Sequence, residues 1–92
     1  MVSHTMPTRP VARADITLRR VGSEWVLFDA SHGRAHVLNL AAAVIWTYCD
    51  GAHEPPAIAA ALARAVPETA PDRLQNDIDQ ALRRFADEGL LQ

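Results

Sequence analysis

The sequence has no lysine, a single cysteine, only 5% aromatic residues and no long apolar run, and each shortage removes a class of function. One cysteine, Cys49, cannot close an internal disulfide, which fits a reducing compartment and makes the cytoplasm the expected location. The longest apolar stretch, Leu40 to Trp46, falls far short of the roughly 20 residues that a membrane-spanning helix needs. The opening residues MVSHTMPTRP contain no apolar segment of the kind that marks a secretory signal. All basic side chains are arginine, acidic residues outnumber them, and the formal net charge is −2. The overall basic footprint of a nucleic-acid binder is therefore missing.

What remains is a chain of 92 residues, 49% of them hydrophobic, which suits one domain. A domain this short buries only about 60% of the surface its unfolded chain exposes. A deep cavity would consume packing that the fold needs, so the expected functional surface is a shallow groove or an open strand edge. The proline-punctuated start reads as a loose tail over residues 1–14, followed by a single domain over 15–92.

The domain opens with strand patterning. ITLRRV and EWVLFD flank Gly22-Ser23, a two-residue turn, so Ile16–Val21 and Glu24–Asp29 form a hairpin. Trp25 and Leu27 point to one face of the second strand and Val26 and Phe28 to the other, which makes that strand central. ASHG makes the next turn, with Gly33 suited to a left-handed conformation. RAHVLN, Arg34 to Asn39, is then a third strand lying at the sheet edge.

After Asn39 the period changes to 3.6. Asn39 is a favoured N-cap, and a first helix is expected over Leu40–Cys49 with Gly51 as its stop. A second helix starts near Glu54 with Pro55 and Pro56 in its first turn and turns Ile58, Leu62 and Val66 inward. The third helix, about Asp72–Glu88, carries Leu74, Ile78, Ala81, Leu82 and Phe85 on one stripe. Arg73, Asp77, Gln80 and Arg84 share the neighbouring face, and Asp79 and Arg83 are spaced to pair. The reading is α+β: a three-stranded antiparallel sheet followed by three helices.

Catalytic and metal readings find little support. His32 and His36 are roughly 13 Å apart if extended, at about 3.3 Å per residue, and two ligands are fewer than zinc requires. Cys49 stands toward the C-terminal end of a helix, where a thiolate is not favoured, and reads as a small buried apolar residue. Trp46 and Tyr48 lie on different sides of the first helix, so at most one is central to the core. No phosphate loop, nucleophile elbow or H-E-x-x-H helix is present.

Two stretches carry a family resemblance. Leu38, Asn39, Ala42, Ile45, Trp46, Asp50 and Gly51 match one pattern, and Asp77, Ile78, Phe85, Gly89 and Leu90 match a second near the end. Over about Ile16 to Leu91 the chain resembles the PqqD-like family of peptide chaperones, also called RiPP recognition elements. The turn DASHG departs from the Pro-Glu turn of the pyrroloquinoline quinone branch. It is more similar to PqqD-like proteins that stand beside other maturation systems, including those named for an HPr-kinase-related partner.

The resemblance implies a winged helix-turn-helix fold without cofactor, metal or catalytic residues. It also implies binding of the leader segment of a ribosomally made precursor peptide for a modifying enzyme of radical-SAM or kinase-related type. With the edge position of the third strand, it makes Arg34, Ala35, His36, Val37 and Leu38 the expected pairing edge. Arg73, Asp77, Gln80, Ala81 and Arg84 form the facing wall. The alternatives are a winged-helix DNA-binding protein, disfavoured by Asp72, Asp77, Asp79, Asp87 and Glu88 on the third helix, and a structural subunit of a maturase.

Overall fold

The hairpin expected from Gly22-Ser23 is present in the computed structural model, which describes residues 9–92. Strand β1 (Ile16–Val21) pairs antiparallel with β2 (Glu24–Asp29), and β2 with β3 (Arg34–Leu38), in the sheet order β1-β2-β3. Helices α1 (Leu40–Thr47), α2 (Pro55–Ala65) and α3 (Pro71–Asp87) follow. This is the α+β, winged helix-turn-helix order expected from the sequence. Among the described residues no helix is long and apolar enough to cross a membrane.

Alternation along the strands decides which face is covered. Ile16, Leu27 and Leu38 turn inward and join Ile45, Trp46, Ile58, Leu62, Ile78, Leu82 and Phe85 in one core. On the opposite face Val21, Phe28 and Val37 remain exposed. Trp46 is the buried aromatic of α1, edge-on to Phe85 at 5.2 Å, while the partly buried Tyr48 stands against His53.

The join between β3 and α1 depends on Asn39. Its backbone stays extended (φ −75°, ψ 175°) and its side chain accepts from the Ala42 N–H at 2.8 Å. Strand thus passes into helix with no intervening loop, and β3 ends at Leu38, one residue short of expectation. We predict that Asn39→Ala costs about 1 kcal/mol in a denaturant melt, the usual loss for an N-cap.

Two expectations are corrected and two are met. The loose tail over residues 1–14 is tethered in its later part. Ala12 N–H donates to Cys49 O, Arg13 N–H to Leu90 O, and Gln92 N–H to Val11 O, closing single-residue bridges that tie this stretch to the end of α1 and to the residues after α3. The first eight residues of that expected tail lie outside the described residues. As expected, ASHG makes a turn closed by Gly33 in the left-handed region (φ 62°), here a single 3-10 turn over Ala30–His32. Asp79 accepts from Gln75 at 3.1 Å rather than meeting Arg83, consistent with helical side chains leaning toward the preceding turn. Val66, at the C-cap of α2, is partly buried and packs against the core, inward as expected.

Candidate functional site

The two-residue turn fixes which backbone groups of β3 are free. A hairpin of this kind closes on a hydrogen-bonded pair, here Val21 and Glu24, and bonding direction then alternates along each strand. Trp25, Leu27 and Asp29 therefore face β3, where Leu38, His36 and Arg34 are their partners. Ala35 and Val37 turn N–H and C=O the other way, toward open space. An independent contact agrees: Arg84 Nη2 of α3 donates to the Val37 carbonyl at 3.2 Å. That carbonyl is reached from outside the sheet.

Beside this edge a groove of about 140 Å³ opens between the start of α1 and the middle of α3, lined by Asn39, Ala41, Ala42, Asp77, Gln80, Ala81 and Arg84. Alanine methyl groups form its floor. Asp77, Gln80 and Arg84 provide a carboxylate, an amide and a guanidinium at its rim. Arg84 is held by Glu88, which accepts from Arg84 Nε at 3.0 Å and also lies 3.4 Å from His36 Nδ1. His36 is almost buried, and its Nε2 has no hydrogen-bond partner.

Of the expected residues, the fold brings Ala35, Val37, Asp77, Gln80, Ala81 and Arg84 around one edge and groove. Arg34 is exposed at the start of β3, and His36 lies under the edge, against Glu88. Leu38 is 3% exposed and turns its side chain into the core, with its backbone directed at β2. Arg73 stands in the first turn of α3 and does not line the groove. Sequence reasoning missed Asn39, Ala41 and Ala42 as lining and Glu88 as the residue that positions Arg84. The i,i+4 spacing of Arg84 and Glu88 was the available signal.

The other polar groupings are structural. Asp29, 2% exposed, is approached by Ser31 Oγ, His32 Nδ1 and Arg13 Nη1 at 2.9, 2.9 and 3.3 Å. Burial pushes its carboxyl up. The Ser31 and His32 hydrogen bonds and the Arg13 charge outweigh that push and hold it at about 2, below the ordinary 3.8. A carboxylate lowered on folding stabilises the fold above its unfolded value, and that stability is lost as pH falls through the folded value. We predict that stability declines between about pH 4 and pH 2 and that Asp29→Asn flattens this part of the profile, read by denaturant melts across that range.

Ser31 and His32 do not form a nucleophile and base. The same Nδ1 that meets Asp29 is the ring nitrogen nearest Ser31, at 3.4 Å, and the Ser31 hydroxyl is engaged by Asp15, Asp29 and Arg13. Cys49 is buried, and that burial, with Asp50 beside it, pushes its thiol up to about 12, so it carries no thiolate at neutral pH. Among the described residues no three His, Cys, Asp or Glu side chains gather as a metal site.

The β3 edge of a small sheet thus stands open beside a helical wall, a geometry of the kind to which an extended strand can be added. The chain belongs to the PqqD family: residues 24–91 match the family described as Coenzyme PQQ synthesis protein D. Two solved structures share the fold. TbiB1 in complex with the TbiA(beta) leader peptide aligns with a TM-score of 0.71 and 21% identity over 89% of this chain and 94% of that one. Lasso peptide synthetase B1 complexed with the leader peptide aligns with a TM-score of 0.74 and 21% identity over 91% and 98%. No curated protein matches the chain.

Proposed function

We propose that this chain is a non-catalytic peptide chaperone. It takes up the leader segment of a ribosomally made precursor as a fourth strand on β3 and presents it to a peptide-modifying enzyme. The observation that carries the reading is the outward-facing backbone of Ala35 and Val37 directly beside the Asp77–Arg84 groove. Family membership supports it, and the two solved structures named above are leader-peptide complexes.

Backbone pairing gives affinity that tolerates sequence change, while side chains at the groove give selectivity. Alternate residues of the docked strand face the groove, where alanine methyls take apolar groups. Arg84 suits a carboxylate, since charge-assisted bonds to guanidinium are strong and directional. A docking strand brings its own N–H to the Val37 carbonyl, which frees Arg84 for that role. Nucleic acid is disfavoured, because α3 bears Asp72, Asp77, Asp79 and Asp87 beside Arg73, Arg83 and Arg84.

The test is a titration of isotopically labelled protein with the precursor encoded beside its gene, followed through backbone amide shifts. The largest shifts are expected at Arg34–Asn39 and along Asp77–Arg84. Saturable binding that leaves both stretches unmoved would remove this reading.

A further inference from the structure

We propose that the free protein carries a latch across its own docking edge: Glu88 holds the Arg84 guanidinium on the Val37 carbonyl, and an incoming strand pairs with β3 only by displacing it. This rests on β3 being the docking edge. An unpaired edge is a template for any extended chain that reaches it, and proteins guard such edges with prolines, charged side chains or covering elements. The two β3 residues with outward-facing backbone, Ala35 and Val37, carry neither a charge nor a proline ring. Their protection comes from α3 instead.

Three contacts build the latch. Arg84 Nη2 donates to the Val37 carbonyl at 3.2 Å, and Arg84 Nε donates to Glu88 Oε1 at 3.0 Å. The planar guanidinium is thereby held on two sides at once. The same Glu88 oxygen lies 3.4 Å from Nδ1 of His36, a β3 residue whose side chain is only 10% exposed. His36 Nε2 is buried without a partner, so a proton there would be a donor with no acceptor. The tautomer with its proton on Nδ1 turns that proton toward Glu88 and ties the carboxylate to the sheet.

Helix stability does not account for Glu88. It stands at the C-cap of α3, where a negative charge opposes the helix dipole. Its two partners, Arg84 on α3 and His36 on β3, do account for it. The latch can also open, because the Arg84 and Glu88 side chains are 40% and 36% exposed and ion pairs so exposed are weak. A strand that brings its own N–H to the Val37 carbonyl replaces the bond it breaks. A chain out of alignment breaks that bond without return.

The experiment compares the isotopically labelled parent, Glu88→Ala and Glu88→Gln, using a fluorescent synthetic copy of the precursor encoded beside the gene. Without peptide, the Arg84 Nε–H should exchange slowly in the parent and in Glu88→Gln, whose amide oxygen accepts at the same reach, and rapidly in Glu88→Ala. Stopped-flow mixing then reads both rate constants. The latch exists only in the free protein, so Glu88→Ala should associate about 3- to 10-fold faster with its dissociation unchanged. Glu88→Gln should stay near the parent. It loses the same charge as Glu88→Ala, which separates the latch from electrostatic steering. Damage to the fold would slow association and cannot imitate this pattern.

Rapid Arg84 exchange in the parent, or unchanged or slower association of Glu88→Ala, would overturn the inference. So would faster dissociation, which would place the action of Glu88 in the bound state, and so would Glu88→Gln associating as fast as Glu88→Ala, which would assign the effect to charge alone. Parental binding by a folded Val37→Pro chain contradicts the docking edge instead. The Arg84 signal is read without peptide, so the two failures are distinct.

Discussion

Val37→Pro is expected to leave the domain folded and to weaken peptide binding by about 100-fold or more. The Val37 side chain is 53% exposed, and its N–H faces away from β2, so proline removes no bond of the existing ladder. The preceding residue, His36, is already extended, as a following proline demands. The arriving peptide suffers instead. Its carbonyl opposite Val37 finds no donor, which costs about 1–3 kcal/mol for a desolvated acceptor, and the ring obstructs the strand itself.

Leu38→Pro is the control, since Leu38 pairs with Trp25 and is 3% exposed. There proline removes a ladder bond and core packing together, and the fold fails. A binding isotherm and a thermal melt on both variants separate recognition from scaffolding. Parental binding by a folded Val37→Pro chain would dismiss β3 as the docking edge.

The second large effect is on stability. Phe85 is fully buried at the centre of the α3 stripe and meets Trp46 edge-on at 5.2 Å and 83°. Phe85→Ala leaves a cavity and breaks that aromatic pair, at a cost of about 3–5 kcal/mol. A domain of this size holds only about 5–15 kcal/mol in all, so the melting temperature should fall by about 12 °C or more. Because α3 is also the wall of the groove, peptide binding should weaken in parallel with unfolding and recover on cooling. A melt displaced by only a degree or two would mean that α3 is not held through Phe85.

Much of the architecture was legible because it rests on local periodicity and turn chemistry. β1 and β2 occupy the residues their alternation and the Gly22-Ser23 turn indicated, and Asn39 caps α1 through the side-chain bond its type suggested. The tether of Pro10–Arg13 was not legible. It consists of single-residue bridges to Asp50 and Leu91, too short to impose a period of two. The α3 polar row was legible as a row, but not which part of it meets the sheet. Arg84 reaches β3 while Arg73, in the first turn, does not border the groove. Helical spacing gives azimuth and leaves axial position to tertiary packing. The Glu88 contact with His36 likewise joins residues 52 positions apart and follows from the fold alone.

The most direct test is amide hydrogen exchange at Ala35 and Val37, with and without saturating precursor peptide. Both N–H groups point outward from an unpaired edge, so in the free protein they should exchange far faster than those of His36 and Leu38, which face β2. Strand addition should slow both by about 100-fold or more while barely altering their neighbours. Peptide binding that saturates while Ala35 and Val37 exchange at their free rates would contradict docking on β3.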